Sequence, residues 1–142
     1  MVRERCGEIK AAALLNPNMD KTTQVDNIAH ELFHGYQREK GNSVSALGVE
    51  AEVEAYIFGR VVSTETVGGG FQTFGNGTTA GDAYDSAMNS LILLGFDNGK
   101  FQEAANNFVK GSSVNGQGDG AYKNQTRRKD YKNLIDKFIP IK

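Results

Sequence analysis

Both histidines of this 142-residue chain, His30 and His34, lie in one short segment, HELFHGYQ, and Glu31 directly follows the first. On a helix, residues four apart stand one turn above the other on the same face, so two imidazoles at this spacing can converge on a single metal ion. A glutamate one place after the first histidine can reach a water on that metal without ligating it, which is the geometric content of the H-E-x-x-H pattern. The competing reading is an amphipathic helix with two ordinary histidines on its edge. Three facts weigh against it: the position of Glu31, the border the pair shares with an apolar stripe, and the confinement of both histidines to this motif.

A catalytic zinc takes three protein ligands and keeps one position open. There is no third histidine, and Cys6 lies far upstream, so the third ligand is expected to be a carboxylate. Glu50, Glu52 and Glu54 offer it. Glu52 shares a helical face with Val49, Ala55, Tyr56 and Gly59, whereas Glu54 stands near Ala51, Ile57 and Phe58, and Glu50 shares the face of Glu54. Periodicity does not choose among the three. At least two of them are expected to be exposed helix carboxylates or to support the site from behind.

These residues need two helices to position them. Val25, Ile28, Ala29, Leu32, Phe33 and Tyr36 recur at the spacing of one continuous apolar stripe. Thr22 or Thr23 is a candidate N-cap, Asp26 suits the first turn, and Gly41-Asn42 is a stop. A second helix is expected over residues 46–62, and a glycine-rich loop over 63–81. A third helix is expected to begin at an Asp82 cap, with Ala83, Ala87, Met88, Leu91 and Leu94 inward. A fourth, over 100–110, places Phe101, Ala104, Ala105, Phe108 and Val109 on one side. A second glycine-rich loop follows over 111–120, and a last helix over 130–138 with Tyr131, Leu134, Ile135 and Phe138 at core spacing. Residues 8–15, EIKAAALL, form a short apolar run before Pro17, read as a strand that could take an extended peptide as an added edge strand.

HELFH followed by EVEAY resembles the gluzincin branch of the zincin metallopeptidases, over about residues 8–62. The resemblance implies that His30, His34 and a downstream glutamate bind Zn2+, that Glu31 is the general base, and that the substrate is a peptide or protein. The pattern Glu52-Val53-Glu54-Ala55 matches the E-x-x-A of small bacterial members and favours Glu52. Glu54 is the alternative, at the spacing of thermolysin-like enzymes. Gln37 and Lys40 stand where the metzincin motif would require glycine and histidine. The implied fold is mainly α (α+β) and zincin-like: an active-site helix packed on a second, ligand-bearing helix, with a short or truncated N-terminal sheet. About 22 residues precede the motif helix, so the chain is expected to be either a minimal single domain over 1–142 or the C-terminal piece of a larger bacterial protein. An inactive zinc-binding module, or a toxin-like effector domain, is the alternative function within the same resemblance.

In the implied reaction zinc lowers the pKa of its bound water toward about 7 and polarises the scissile carbonyl. Glu31 then takes the proton and passes it to the leaving amine. A further oxyanion donor is expected, with Tyr122 as a candidate and Tyr84 and Tyr131 as others better explained by helix cores.

Composition limits the other classes. Net charge is −1, so no global field draws the chain to nucleic acid or to a membrane. Residues 123–142 carry seven Lys/Arg against two Asp. Arg127, Arg128, Lys129 and Lys132 could contact phosphates, but a solvated basic helix face is the commoner arrangement, and no nucleic-acid partner is expected. No run approaches a membrane span and no signal peptide is present, so the chain is expected to be soluble, either cytoplasmic or exported within a larger protein. One cysteine excludes an internal disulfide.

Overall fold

A computed structural model describes residues 20–40, 48–68, 79–115, 127 and 131–139, with side chains up to 110 in the last helix. Four helices dominate: α1 (Lys21–Glu39), α2 (Val49–Val67), α3 (Thr79–Leu94) and α4 (Asn98–Asn115). They pack as two pairs, α1 on α2 and α3 on α4, with α2 also touching α3, α4 and the C-terminal segment. The mainly α expectation holds. No strand occurs among the described residues, and the strand expected over 8–15 lies outside them.

Asp20, not Thr22 or Thr23, caps α1. Its Oδ1 accepts the Thr23 backbone N–H at 2.8 Å, and its Oδ2 accepts the Thr23 hydroxyl at 2.9 Å. The Gln24 N–H already reaches the Asp20 carbonyl, so Thr23 is inside the first turn and serves as donor rather than cap. These bonds hold the exposed Asp20 carboxyl below its ordinary value.

The face that α1 buries differs from the apolar stripe. Asp26, Ala29, His30, Phe33, His34 and Gln37 are buried, while Leu32 is 67% exposed. Four of these six are polar, at positions 26, 30, 34 and 37, which is the spacing of one helix face. Asp26, read from the sequence as a first-turn helix-dipole residue, therefore sits inside the interface.

The helix α2 explains why. All seven residues from Val49 to Ala55 are buried, so its N-terminal half has no solvent face. Val49, Val53, Ala55 and Ile57 join the main core with Tyr84, Ala87, Met88 and Leu91 of α3 and Phe101, Ala104, Ala105 and Phe108 of α4. Gly59 sits at the closest approach to α1. A Cβ there would lie 2.6 Å from the Asp26 carbonyl oxygen and closer still to its carboxylate. Gly68, at φ 65°, ends α2 in the left-handed conformation.

Four further expectations are corrected. Asp82 lies inside the first turns of α3 rather than capping it, and Leu94, expected inward, is 64% exposed at the helix end. Residues 111–115, expected as loop, continue α4. Of the helix expected over 130–138, the described residues from 131 on form one 3-10 turn, Ile135–Lys137. Of its expected core residues Leu134 and Ile135 are buried, as is Ile139, whereas Phe138 is exposed although its ring meets Phe33, Tyr36 and Phe58 with centroids 5.2–5.8 Å apart.

Candidate metal centre

His30 and His34 occupy adjacent turns of α1 and face the N-terminal half of α2. Their Nε2 atoms are 3.2 Å apart. Glu52 reaches across from α2, with Oε1 3.1 Å from His34 Nε2 and Oε2 3.3 Å from His30 Nε2. All three side chains are buried, and their ligand atoms lie within 4.8 Å of one another. The Tyr56 ring, on the turn of α2 after Glu52, packs on His30 with centroids 4.2 Å apart.

These separations suit a metal. Atoms held about 2.0–2.2 Å from a tetrahedral zinc lie about 3.3–3.6 Å from one another, within a few tenths of an ångström of the distances found. The donor set, two imidazoles and a carboxylate, is one that zinc takes. It could equally hold other divalent ions of the first transition row, since geometry and availability choose among them.

The electrostatics of the cluster are those of a coupled trio. Burial pushes the Glu52 carboxyl up, but hydrogen bonds and charge from His30 and His34 outweigh it and hold the group down at about 2. Burial pushes His34 down, and the Glu52 hydrogen bond and charge, the Gln37 hydrogen bond and the Glu31 charge outweigh it and leave it raised. Glu31 is half-buried on α1 beside these ligands.

The other two glutamates of α2 are buried as well, each on its own partner. Glu54 Oε1 accepts from the Tyr131 hydroxyl and from Gln37 Nε2, and its Oε2 accepts the backbone N–H groups of Leu134 and Ile135 at 2.7 and 2.9 Å. Burial raises its pKa against these bonds. These two amides are turned to a carboxylate rather than to helix carbonyls, which is why the last expected helix is replaced by a single turn. Glu50 pairs with Arg127 Nε at 2.7 Å, and the same guanidinium reaches Gln102 and Asn106 of α4. A cavity of about 390 Å³ opens here, lined by Glu50, Arg127, Tyr131 and residues of α4.

The structure thus brings His30, His34 and Glu52 together and directs Glu54 to the C-terminal segment. Of the expected oxyanion donors, Tyr122 lies outside the described residues, Tyr84 is enclosed in the core, and Tyr131 is bound to Glu54. Of the four basic residues considered for phosphate contacts, Arg127 is turned inward onto Glu50, and Arg128 and Lys129 lie outside the described residues.

Sequence reasoning passed over two residues at the site. Gln37, three places after His34, accepts from its Nδ1 at 2.9 Å. Asp26, four places before His30, is buried and sits near His30 and Arg60; burial raises its pKa and those two charges oppose the rise. Both were visible as polar residues in helical register with the histidines. Comparison with protein-family models, with curated proteins and with solved structures returns no match.

Proposed function

We propose that this chain is a zinc-dependent metallopeptidase in which His30, His34 and Glu52 hold the metal and Glu31 is the general base. The observation that carries the reading is the convergence of three buried ligand side chains, from two helices, at tetrahedral-edge separations. Three is the number of protein ligands a catalytic zinc takes. The metal, when bound, supplies a Lewis acid that acidifies water and polarises a carbonyl.

The chain's own residues supply the remainder. Glu31 follows His30 by one residue, a rotation of about 100° around the helix, and it is half-buried, so it lies beside the ligands without joining them. From there it takes a proton from the attacking water and returns it to the departing amine. Tyr56 packs on one ligand ring and limits water on that side.

The test is direct. Purified protein should carry one zinc per chain and cleave an unstructured protein such as casein. Glu31→Gln should keep the zinc and lose about 100- to 10,000-fold in turnover, the range that general-base catalysis supplies. A folded wild-type protein that takes up no divalent metal would overturn the proposal. A metal-bound structure with a fourth protein ligand would instead make the centre a structural one.

A further inference from the structure

We propose that Gln37 is a positioning residue that fixes His34 in its Nδ1–H tautomer, so that Nε2 offers its lone pair to the metal; this rests on the metal centre proposed above. The argument is one of donors and acceptors. Gln37 Nε2 donates to the Ala51 carbonyl at 3.0 Å and lies 3.2 Å from both Glu54 Oε1 and the Tyr131 hydroxyl. A peptide carbonyl can only accept. The amide group of Gln37 is therefore held with its NH2 toward α2 and its oxygen toward His34. That oxygen can only accept, so His34 Nδ1, 2.9 Å away, must be the protonated ring nitrogen. Nε2 stands 3.1 Å from Glu52 Oε1 and 3.2 Å from His30 Nε2, so in the charged metal-free ring both nitrogens donate, and with Nδ1–H held by Gln37 the proton that a metal displaces is the one on Nε2.

The anchorage makes this more than a chance contact. Gln37 is 97% buried, being 3% exposed, and it touches α1 through His34, α2 through Ala51 and Glu54, and the C-terminal segment through Tyr131. Turning the amide over would set its oxygen against the Ala51 carbonyl. His30 has no equivalent: among the described residues its buried Nδ1 has no hydrogen-bond partner. One ligand is thus pre-set for metal and the other is not. Outer partners of this kind orient a metal-bound histidine and raise its basicity, and their loss commonly costs about 10- to 100-fold in metal affinity.

The experiment uses the full chain with Gln37→Met, which keeps the shape and removes the amide, and Gln37→Glu, which keeps an acceptor for Nδ1–H. Ring-nitrogen NMR of metal-free protein at alkaline pH reports the His34 tautomer, and zinc titration reports affinity. Wild-type His34 is expected as the Nδ1–H form. Gln37→Met should relax it to a mixture and weaken zinc about 10- to 100-fold. Gln37→Glu should keep the tautomer and most of the affinity despite a lower Tm. An Nε2–H tautomer at His34 in the wild type overturns the proposal, as does a Gln37→Met protein with unchanged tautomer and affinity. Should Gln37→Met fail to fold, the wild-type tautomer still decides. Should the wild type bind no zinc, the metal centre fails, while the ring spectra still judge the role of Gln37.

Discussion

The two helix pairs of this molecule are built on opposite principles. Between α3 and α4 the buried side chains are Tyr84, Met88, Leu91, Phe101, Phe108 and alanines, an ordinary apolar interface. The buried polar groups gather on the other pair: all nine buried polar or charged residues among those described, from Asp26 to Ser63, lie on α1 and α2. Burying charge is costly unless each group is paired and hydrogen-bonded. Glu50, Glu52 and Glu54 meet that demand separately, on a guanidinium, on two imidazoles, and on a hydroxyl, an amide side chain and two backbone amides. A pair that tolerates so much buried polarity departs from what stability alone would select, and such departures gather at functional sites. The apolar pair supplies the scaffold, and the polar pair holds the chemistry.

The sharpest way to break this division is to mutate one residue from each side. His34→Ala should abolish zinc binding and hydrolysis together while helical content, read by circular dichroism, stays near that of the wild type. Leu91→Ala, at a wholly buried position on α3, should do the reverse. It should cost about 2–5 kcal/mol of stability in urea unfolding and leave zinc stoichiometry and affinity of the folded protein unchanged. If Leu91→Ala weakened zinc as strongly as it weakened the fold, scaffold and site would be one unit.

A smaller effect is expected where the polar pair is closest. Gly59→Ala would place a methyl group against the Asp26 backbone, and a backbone atom cannot move aside as a flexible side chain can. The helices must separate, at a cost of about 1–3 kcal/mol for overpacking. The same separation pulls Glu52 from the histidines, so zinc affinity should fall with stability. Measuring both in this one variant tells a shared interface from two independent ones.

How far the sequence foretold this division differs by residue type. The apolar pair was legible from spacing, because Ala87, Met88, Leu91, Phe101, Ala104, Ala105 and Phe108 obey helical periodicity on helices that keep one solvent face. On α1 the same rule misplaced Leu32, because the partner surface there is made of carboxylates and the buried face is the one that answers them. The histidine motif stood out because its spacing carries its own mechanism. The partners of Glu54 were illegible: Gln37, Tyr131 and the amides at 134 and 135 come from three parts of the chain. A helix buried on every side also gives periodicity nothing to distinguish, which is why Glu50, Glu52 and Glu54 looked equivalent.

The gentlest probe of the comparison is pH, because titratable groups are buried at the polar pair. In metal-free protein Glu52 is depressed from 4.5 to about 2, so its contribution to stability is complete above 4.5 and is lost as pH falls toward 2. His34 is raised above 6.5, so its contribution is complete below 6.5 and is lost as pH rises through the folded value. Asp26 and Glu54 are raised by burial, and their shifts likewise favour the folded state less as pH rises through their folded values. Below 4.5 Glu52 loses its contribution, and above it Glu54 and Asp26, and then His34, lose theirs, so the metal-free protein should be most stable near pH 4.5 and should weaken toward alkaline pH. Zinc reverses the slope, because it needs His34 neutral and competes with the proton there. Urea midpoints from about pH 5 to about pH 8, with zinc and with a chelator, should form two diverging curves. Leu91→Ala should lower both curves by a constant amount, since it removes packing within the hydrophobic core. Metal-free stability that rises with pH above 6.5 would show that the charges of the polar pair are not coupled as their geometry requires.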